Sequence, residues 1–165
     1  MTVSANELRN HMRYSTWASK RLVDVAATLS DEELARDFST ADKNIIGTLA
    51  HVFAADRIWL TRVQGRTPAK FIDDGDRKLD VLRYDWPPLL AQWDTLLGAE
   101  TDASVTRGIT YANLKGDLFE TPLWQIVLHV VNHGTHHRGQ VSGFLRAMGH
   151  TPPPLDLIAH YRERA

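Results

Sequence analysis

Cysteine is absent from the 165-residue sequence, which excludes disulfides, thiolate metal ligands and a nucleophilic cysteine supplied by the chain. Any thiol chemistry requires a thiol brought from outside. An excess of one charge is also missing: 19 basic and 20 acidic side chains leave a formal charge of -1, with no run of five like charges. That balance leaves no electrostatic footprint for nucleic acid or for an anionic membrane surface. No stretch reaches the ~18 consecutive apolar residues of a membrane span. The opening MTVSANELRNHMRYSTW has neither the basic-then-apolar layout of a secretory leader nor the acid-poor character of a transit peptide. The expectation is a cytoplasmic protein with no membrane or nucleic-acid partner.

Several catalytic signatures are missing as well. Gly134 follows His133, so the helix-borne glutamate of an H-E-x-x-H zinc protease is not there. Neither a phosphate-binding G-x-x-x-x-G-K loop, a dinucleotide G-x-G-x-x-G turn nor a G-x-S-x-G nucleophile elbow occurs.

What is present is a 43% hydrophobic composition, enough for one core, so a single domain over residues 1–165 is expected. Leu8, Met12, Leu22, Val25 and Leu29 recur at helical intervals and predict a helix over about residues 4–28. Ser30 and Glu33 then make a capping-box pattern. The run NIIGTLAHVFAADRIWLTRVQG predicts a second helix, with Ile45, Leu49, Val52, Asp56 and Trp59 on one stripe and Gly65 as its stop. Residues 66–80 read as a polar crossover loop. A third helix is expected from near Asp85, with Pro87 and Pro88 in its first turn. β-Branched and aromatic residues on either side of Asn113 to Gly116 predict a small hairpin. The fourth helix is expected to have Thr121 as its cap and Pro122 in first position, and to run to Met148 with Gly149 beyond. The tail's three prolines forbid helix before a short amphipathic end. The fold class is all-α: a helical bundle with a small β-hairpin before its last long helix.

Eight histidines stand out, four of them within nine residues: His129, His133, His136 and His137. Histidines four apart on a helix share a face and can converge on one ion at ~2.0–2.1 Å. At ~100° per residue, His137 falls inside the apolar stripe marked by Val130, Val141 and Leu123, with His133 at its border. Arg138 and Gln140 fall near or beyond the polar edge. His129 and His137 are too far apart along the axis for both to join His133, so a third ligand should come from another helix. His51, mid-helix among Gly47, Ala50, Ala54 and Ala55, is the best candidate, with His11 as a second option. Three neutral imidazoles suit a divalent transition metal: zinc or nickel first, then iron, copper or manganese. Three protein ligands leave one position open, the pattern of a catalytic site. Asp56 and Asp156 are candidates to orient the imidazoles, and Trp17, Trp59, Trp93 and Trp124 are expected in the core.

The segment HVVNHGTHHRGQV, residues 129–141, resembles the H-x-x-x-H-R-G-Q signature of the DinB/YfiT-like family of bacterial metal-binding four-helix bundles. IIGTLAHVFAADRIWL resembles that family's first-ligand helix, and the likeness extends over nearly the whole chain. The resemblance implies His51, His133 and His137 as the ligands, an up-down-down-up bundle and a homodimer. It also implies thiol-dependent chemistry, since characterised relatives transfer bacillithiol to electrophiles or isomerise maleylpyruvate with mycothiol, while many members have no assigned reaction. The leading expectation is a metal-dependent thiol transferase or isomerase acting on a small-molecule thiol and an electrophilic substrate. The alternatives are a metal-dependent hydrolase of a small substrate and a non-catalytic, stress-associated metal-binding dimer.

Overall fold

Ser4 opens the first helix by accepting a hydrogen bond from the Glu7 amide, one of the donors that every helix start leaves unpaired, and α1 runs Ala5–Ala26. The computed structural model describes residues 3–163. Ser30 and Glu33 form the expected reciprocal capping box on α2 (Asp31–Ala35). Asn44 caps α3 (Ile45–Val63) through the Gly47 amide, and Gly65 ends it in the left-handed conformation, with φ of +74°.

The stretch between the second and third predicted helices is more ordered than its polar composition suggests. A single 3-10 turn at Asp74–Asp76 is clamped to α3 by Arg57, which donates to both Asp76 oxygens (2.6 and 2.7 Å) and to the Phe71 carbonyl (3.2 Å). The third helix also starts earlier than Asp85: α4 covers Leu79–Tyr84 and α5 covers Trp86–Gly98. The break between them follows from Pro87 and Pro88, whose missing N–H groups and bulky rings are tolerated only in a first turn.

Strands β1 (Gly108–Ala112) and β2 (Leu118–Pro122) form the hairpin, with Tyr111 opposite Phe119. Its turn is set by Asn113, whose side-chain oxygen accepts from the amides of Lys115 and Asp117. The long helix α6 spans Leu123–Ala147, and its start is shifted from the expectation. Thr121 pairs with Ile109 in the sheet rather than capping, and Pro122 takes the cap position with no side-chain hydrogen bond. A short α7 (Leu157–Glu163) follows the prolines, and the Tyr14 hydroxyl holds the segment before it by donating to the Leu155 carbonyl at 2.8 Å.

Helix α6 packs against α1 and α3, and α5 packs mainly against α1. One core cluster gathers Met12, Leu60, Trp93 and Val130, and a second gathers Leu22, Leu49, Phe53 and Trp86. Asp56 pins α5 to α3: its carboxylate accepts from the Trp86 indole at 2.8 Å and its carbonyl from the Trp93 indole at 3.1 Å. Among the described residues no helix is long and apolar enough to cross a membrane.

Burial pushes the Asp56 carboxyl up to about 7, against the lowering effects of the Trp86 indole and the nearby Arg138 charge. An acid whose pKa is raised on folding stabilises the fold while protonated in both states, and that contribution is lost as pH rises toward the folded value. Asp56→Asn keeps an oxygen for Trp86 and removes the titration. The difference in stability between this variant and the wild type, followed by urea denaturation, is expected to grow in the variant's favour from about pH 4 to 7. A difference that stays flat over that window would show that the carboxyl does not titrate there. Comparing the two proteins cancels the histidines, whose lowered values act in the opposite direction.

Candidate metal centre

Helix periodicity and a close α3–α6 approach bring three imidazoles together. His51 projects from the second turn of α3, and His133 and His137 from successive turns of α6. Nε2 of His51 lies 3.0 Å from Nε2 of His133. The His137 ring centre is 4.4 Å from that of His51 and 4.5 Å from that of His133. One nitrogen from each residue falls within a set whose members are all within 4.8 Å of one another. Two nitrogens bound at ~2.0–2.1 Å to a tetrahedral ion sit about 3.3 Å apart, so the set brackets the separation that an ion requires. His51, His133 and His137 are thus a group that can hold a metal ion, and the structure unites the residues that the spacing singled out.

Their outer nitrogens decide which protons they carry. Nδ1 of His51 faces the Asp42 carboxylate at 3.4 Å. Nδ1 of His137 lies 2.8 Å from the Gln140 side-chain oxygen. Both partners are acceptors, which favours hydrogen on both Nδ1 atoms and leaves both Nε2 atoms free to act as ligands. Burial drives the pKa of His133 down to about 3, with further lowering from the neighbouring imidazoles. Burial also lowers His51, partly offset by Asp42. Neutral imidazoles with inward lone pairs are the ligand form, and the donor set fits a divalent transition metal. Among the described residues Nδ1 of His133 is buried with no hydrogen-bond partner, so His133 is oriented by packing and by its Nε2 contact with His51.

Asp42 is the residue that sequence reasoning missed. It stands in the turn before α3, nine positions from His51 and outside any helical spacing, and that turn carries two non-glycine residues in the left-handed conformation, Ser39 (φ 58°) and Lys43 (φ 64°). Gly47 serves this turn rather than the helix–helix contact expected of it: a Cβ there would lie 2.1 Å from the Asp42 carbonyl oxygen. Neither carboxylate proposed from the sequence orients a ligand. Asp56 is 1% exposed and bonded to Trp86, and Asp156 lines a separate cleft with Tyr14 and Arg138. Arg138, placed near the polar edge by the wheel, is buried at 1% exposure. It donates to Ser15 and Ser19 on α1 at 2.9 and 3.2 Å, a helix-pairing role. His129 stacks edge-on against Trp59 (5.2 Å) and His136 against His137 (4.9 Å), outside the triad. Nδ1 of His11 is taken up by its own helix, 2.8 Å from the Glu7 carbonyl.

Of the triad, His133 lines a cleft of about 440 Å³ that is also bounded by Trp59, Arg62, Phe71, Lys115 and His129. Phe71 stands edge-on to the His51 ring at 5.0 Å, held over it by Arg57. Trp59, expected in the core, is half-buried and forms one wall.

Comparison with known proteins adds three findings. The sequence model of the DinB family matches residues 1–164. "Protein DinB" of Bacillus subtilis (strain 168) is 22% identical over 149 residues, 87% of each chain. The crystal structure of a DinB-like protein from Bacillus cereus ATCC 10987 superposes with a TM-score of 0.68 at 19% identity, covering 93% of this chain and 99% of that one. The structural likeness concerns the fold.

Proposed function

The chain belongs to the DinB family, and from that premise we propose that it binds one divalent ion, zinc or nickel, through Nε2 of His51, His133 and His137 and uses it to transfer an external low-molecular-weight thiol to a small electrophile. The observation that carries this reading is the convergence of one nitrogen each from His51, His133 and His137, with Nδ1 of His51 beside Asp42 and Nδ1 of His137 beside Gln140. An ion held by His51, His133 and His137 would make a bound thiol acidic enough to be a thiolate at neutral pH.

The chain's own residues supply the rest. Asp42 and Gln140 hold the Nδ1 protons, keeping the rings in one tautomer and orientation. Phe71 and Trp59 give the cleft apolar walls beside the triad, which lower the local dielectric and favour a reaction between buried partners. The sequence holds no cysteine, so the nucleophilic sulfur must enter through the cleft. Hydrolysis is less well served: the carboxylate lining the cleft, Asp117, is engaged by the Asn113 amide at 2.9 Å. The same reading includes a single domain over residues 1–165, a homodimer and the up-down-down-up order, for which the span between α3 and α5 provides a crossover.

Elemental analysis of protein purified without an affinity tag tests the first half, with about one ion per chain expected. Zinc- or nickel-loaded and chelator-stripped protein are then compared with a panel of thiols and a chromogenic aryl halide. Conjugation above background in the loaded protein only is the expected result. Absence of stoichiometric metal overturns the whole proposal. Bound metal without turnover on any thiol sinks the transferase and leaves the non-catalytic metal-binding alternative.

A further inference from the structure

Arg62, in the last turn of α3, is a buried cation without a counter-ion. The residue is 7% exposed. Its guanidinium carbon lies 4.7 Å from the Trp59 ring centre and 5.0 Å from that of Tyr111. Its Nε has no hydrogen-bond partner, and no ion pair engages it among the described residues. Arg138 is also buried without an ion pair, but it donates to three hydroxyls, whereas the Arg62 side chain donates to no acceptor among the described residues. Arg9 and Arg13 share Asp94, Arg57 holds Asp76, and Arg107 holds Glu100. Two aromatic faces compensate only part of the cost of removing a guanidinium from water; Nε is sealed in, and the edge formed by the two terminal nitrogens remains for a ligand. That edge belongs to the same cleft that reaches His133. Lys115 on the hairpin turn adds a second positive charge to its rim.

The geometry points to Arg62 as the binding point for the carboxylate end of an extended small molecule whose other end lies at the histidine triad. A bidentate carboxylate matches the guanidinium fork and completes the unpaired hydrogen bonding of a desolvated cation. Length is part of the inference. The Arg62 guanidinium reaches back over Trp59, eight residues and about 12 Å along the axis from the level of His51, so a compact two- or three-carbon acid is too short to span both ends. The cleft selects a ligand with a spacer of several bonds and an apolar middle against Trp59 and Phe71. This assignment rests on the proposed metal site for the far end of the ligand, but the carboxylate end stands on Arg62 alone.

The test uses two sets of probes measured by calorimetry. In the first, zinc-loaded protein is titrated with ω-mercapto acids of increasing chain length and with the matching ω-mercapto alcohols. Acids of intermediate length are expected to bind tenfold or more tightly than their alcohols, with the shortest acid showing no such preference. Arg62→Met is expected to remove the preference while leaving alcohol affinity and metal content unchanged, and Arg62→Lys to restore part of it. The lysine variant also keeps the test open if the methionine variant does not fold. A purely structural arginine would not alter the acid-to-alcohol ratio. In the second set, chelator-stripped protein is titrated with ω-phenylalkyl carboxylates, their alcohols and the corresponding phosphate esters. Here the expected carboxylate preference survives without metal, so failure of the metal site and failure of the Arg62 site are distinguishable. Equal binding of acid and alcohol in both sets, or a preference that persists in Arg62→Met, overturns the assignment. Phosphate ester binding more tightly than carboxylate would overturn the choice of anion.

Discussion

Replacing His133 with alanine is expected to lower zinc or nickel affinity by two to three powers of ten and to remove nearly all of the metal's effect on thermal stability. The magnitude follows from sharing a metal-binding free energy of about 10–16 kcal/mol, typical of four-ligand sites, which assigns about 2.5–4 kcal/mol to each ligand. An ion at a thousand times its dissociation constant stabilises the folded wild type by about 4 kcal/mol, whereas at a thousandfold weaker affinity the same concentration contributes about 0.4 kcal/mol. For a chain of this size the difference is roughly 7–15 °C in Tm. Metal-free wild type and metal-free variant should melt much closer together, because Nδ1 of His133 is buried and unpartnered and its ring already bears an unfavourable desolvation. Differential scanning calorimetry of both proteins, with and without one equivalent of zinc, reads all four states. A variant that keeps a full metal-induced shift would show that the ion sits elsewhere.

The ligand pair on α6 was legible because four-residue spacing on a helix is a strong geometric constraint, and His137 fell within the apolar stripe. His51 was legible by its place in a second apolar run. The groups that orient them divide differently. Gln140 lies one turn beyond His137 and so was within reach of a periodicity argument, yet its role depends on a side-chain rotamer that no pattern specifies. Asp42 belongs to an irregular turn whose path is set by left-handed Ser39 and Lys43 and by the space above Gly47, none of which has a period. Asp56 misled for the opposite reason. Its stripe position predicted burial, but a buried carboxylate needs a donor, and the Trp86 indole that supplies one comes from α5, far along the chain. The start of α6 shows a smaller conflict of the same kind: Thr121 carries a good cap residue's chemistry, and pairing in the hairpin claims it first. Arg62 gave no signal at all, because a lone arginine near a helix end reads as a solvated charge until its neighbours are known.

Arg138→Ala is expected to destabilise the protein by about 3–5 kcal/mol, the cost of emptying a large buried site and discarding a charge-assisted hydrogen-bond network. The guanidinium donates to Ser15 and Ser19 on α1 and to Thr135 on its own helix at 3.1 Å. Its Nη1 occupies the space that a Cβ on Gly134 would enter at 2.6 Å. Side-chain hydroxyls accept its protons, and burial lowers the arginine's pKa against the raising influence of Tyr14 and the Asp56 carboxyl. A buried cation held mostly by neutral acceptors gains little over an apolar side chain of similar size, so Arg138→Met should cost far less than Arg138→Ala, within about 1–2 kcal/mol of wild type. Urea denaturation of the metal-free proteins measures both, and metal titration of the methionine variant should return the wild-type affinity, since the imidazole-orienting contact is made by Gln140 and not by Arg138. Equal losses for alanine and methionine would mean that the charge itself, not the volume, holds α6 to α1. A methionine variant that folds but no longer binds metal would place Arg138 in the metal centre rather than in the helix contact.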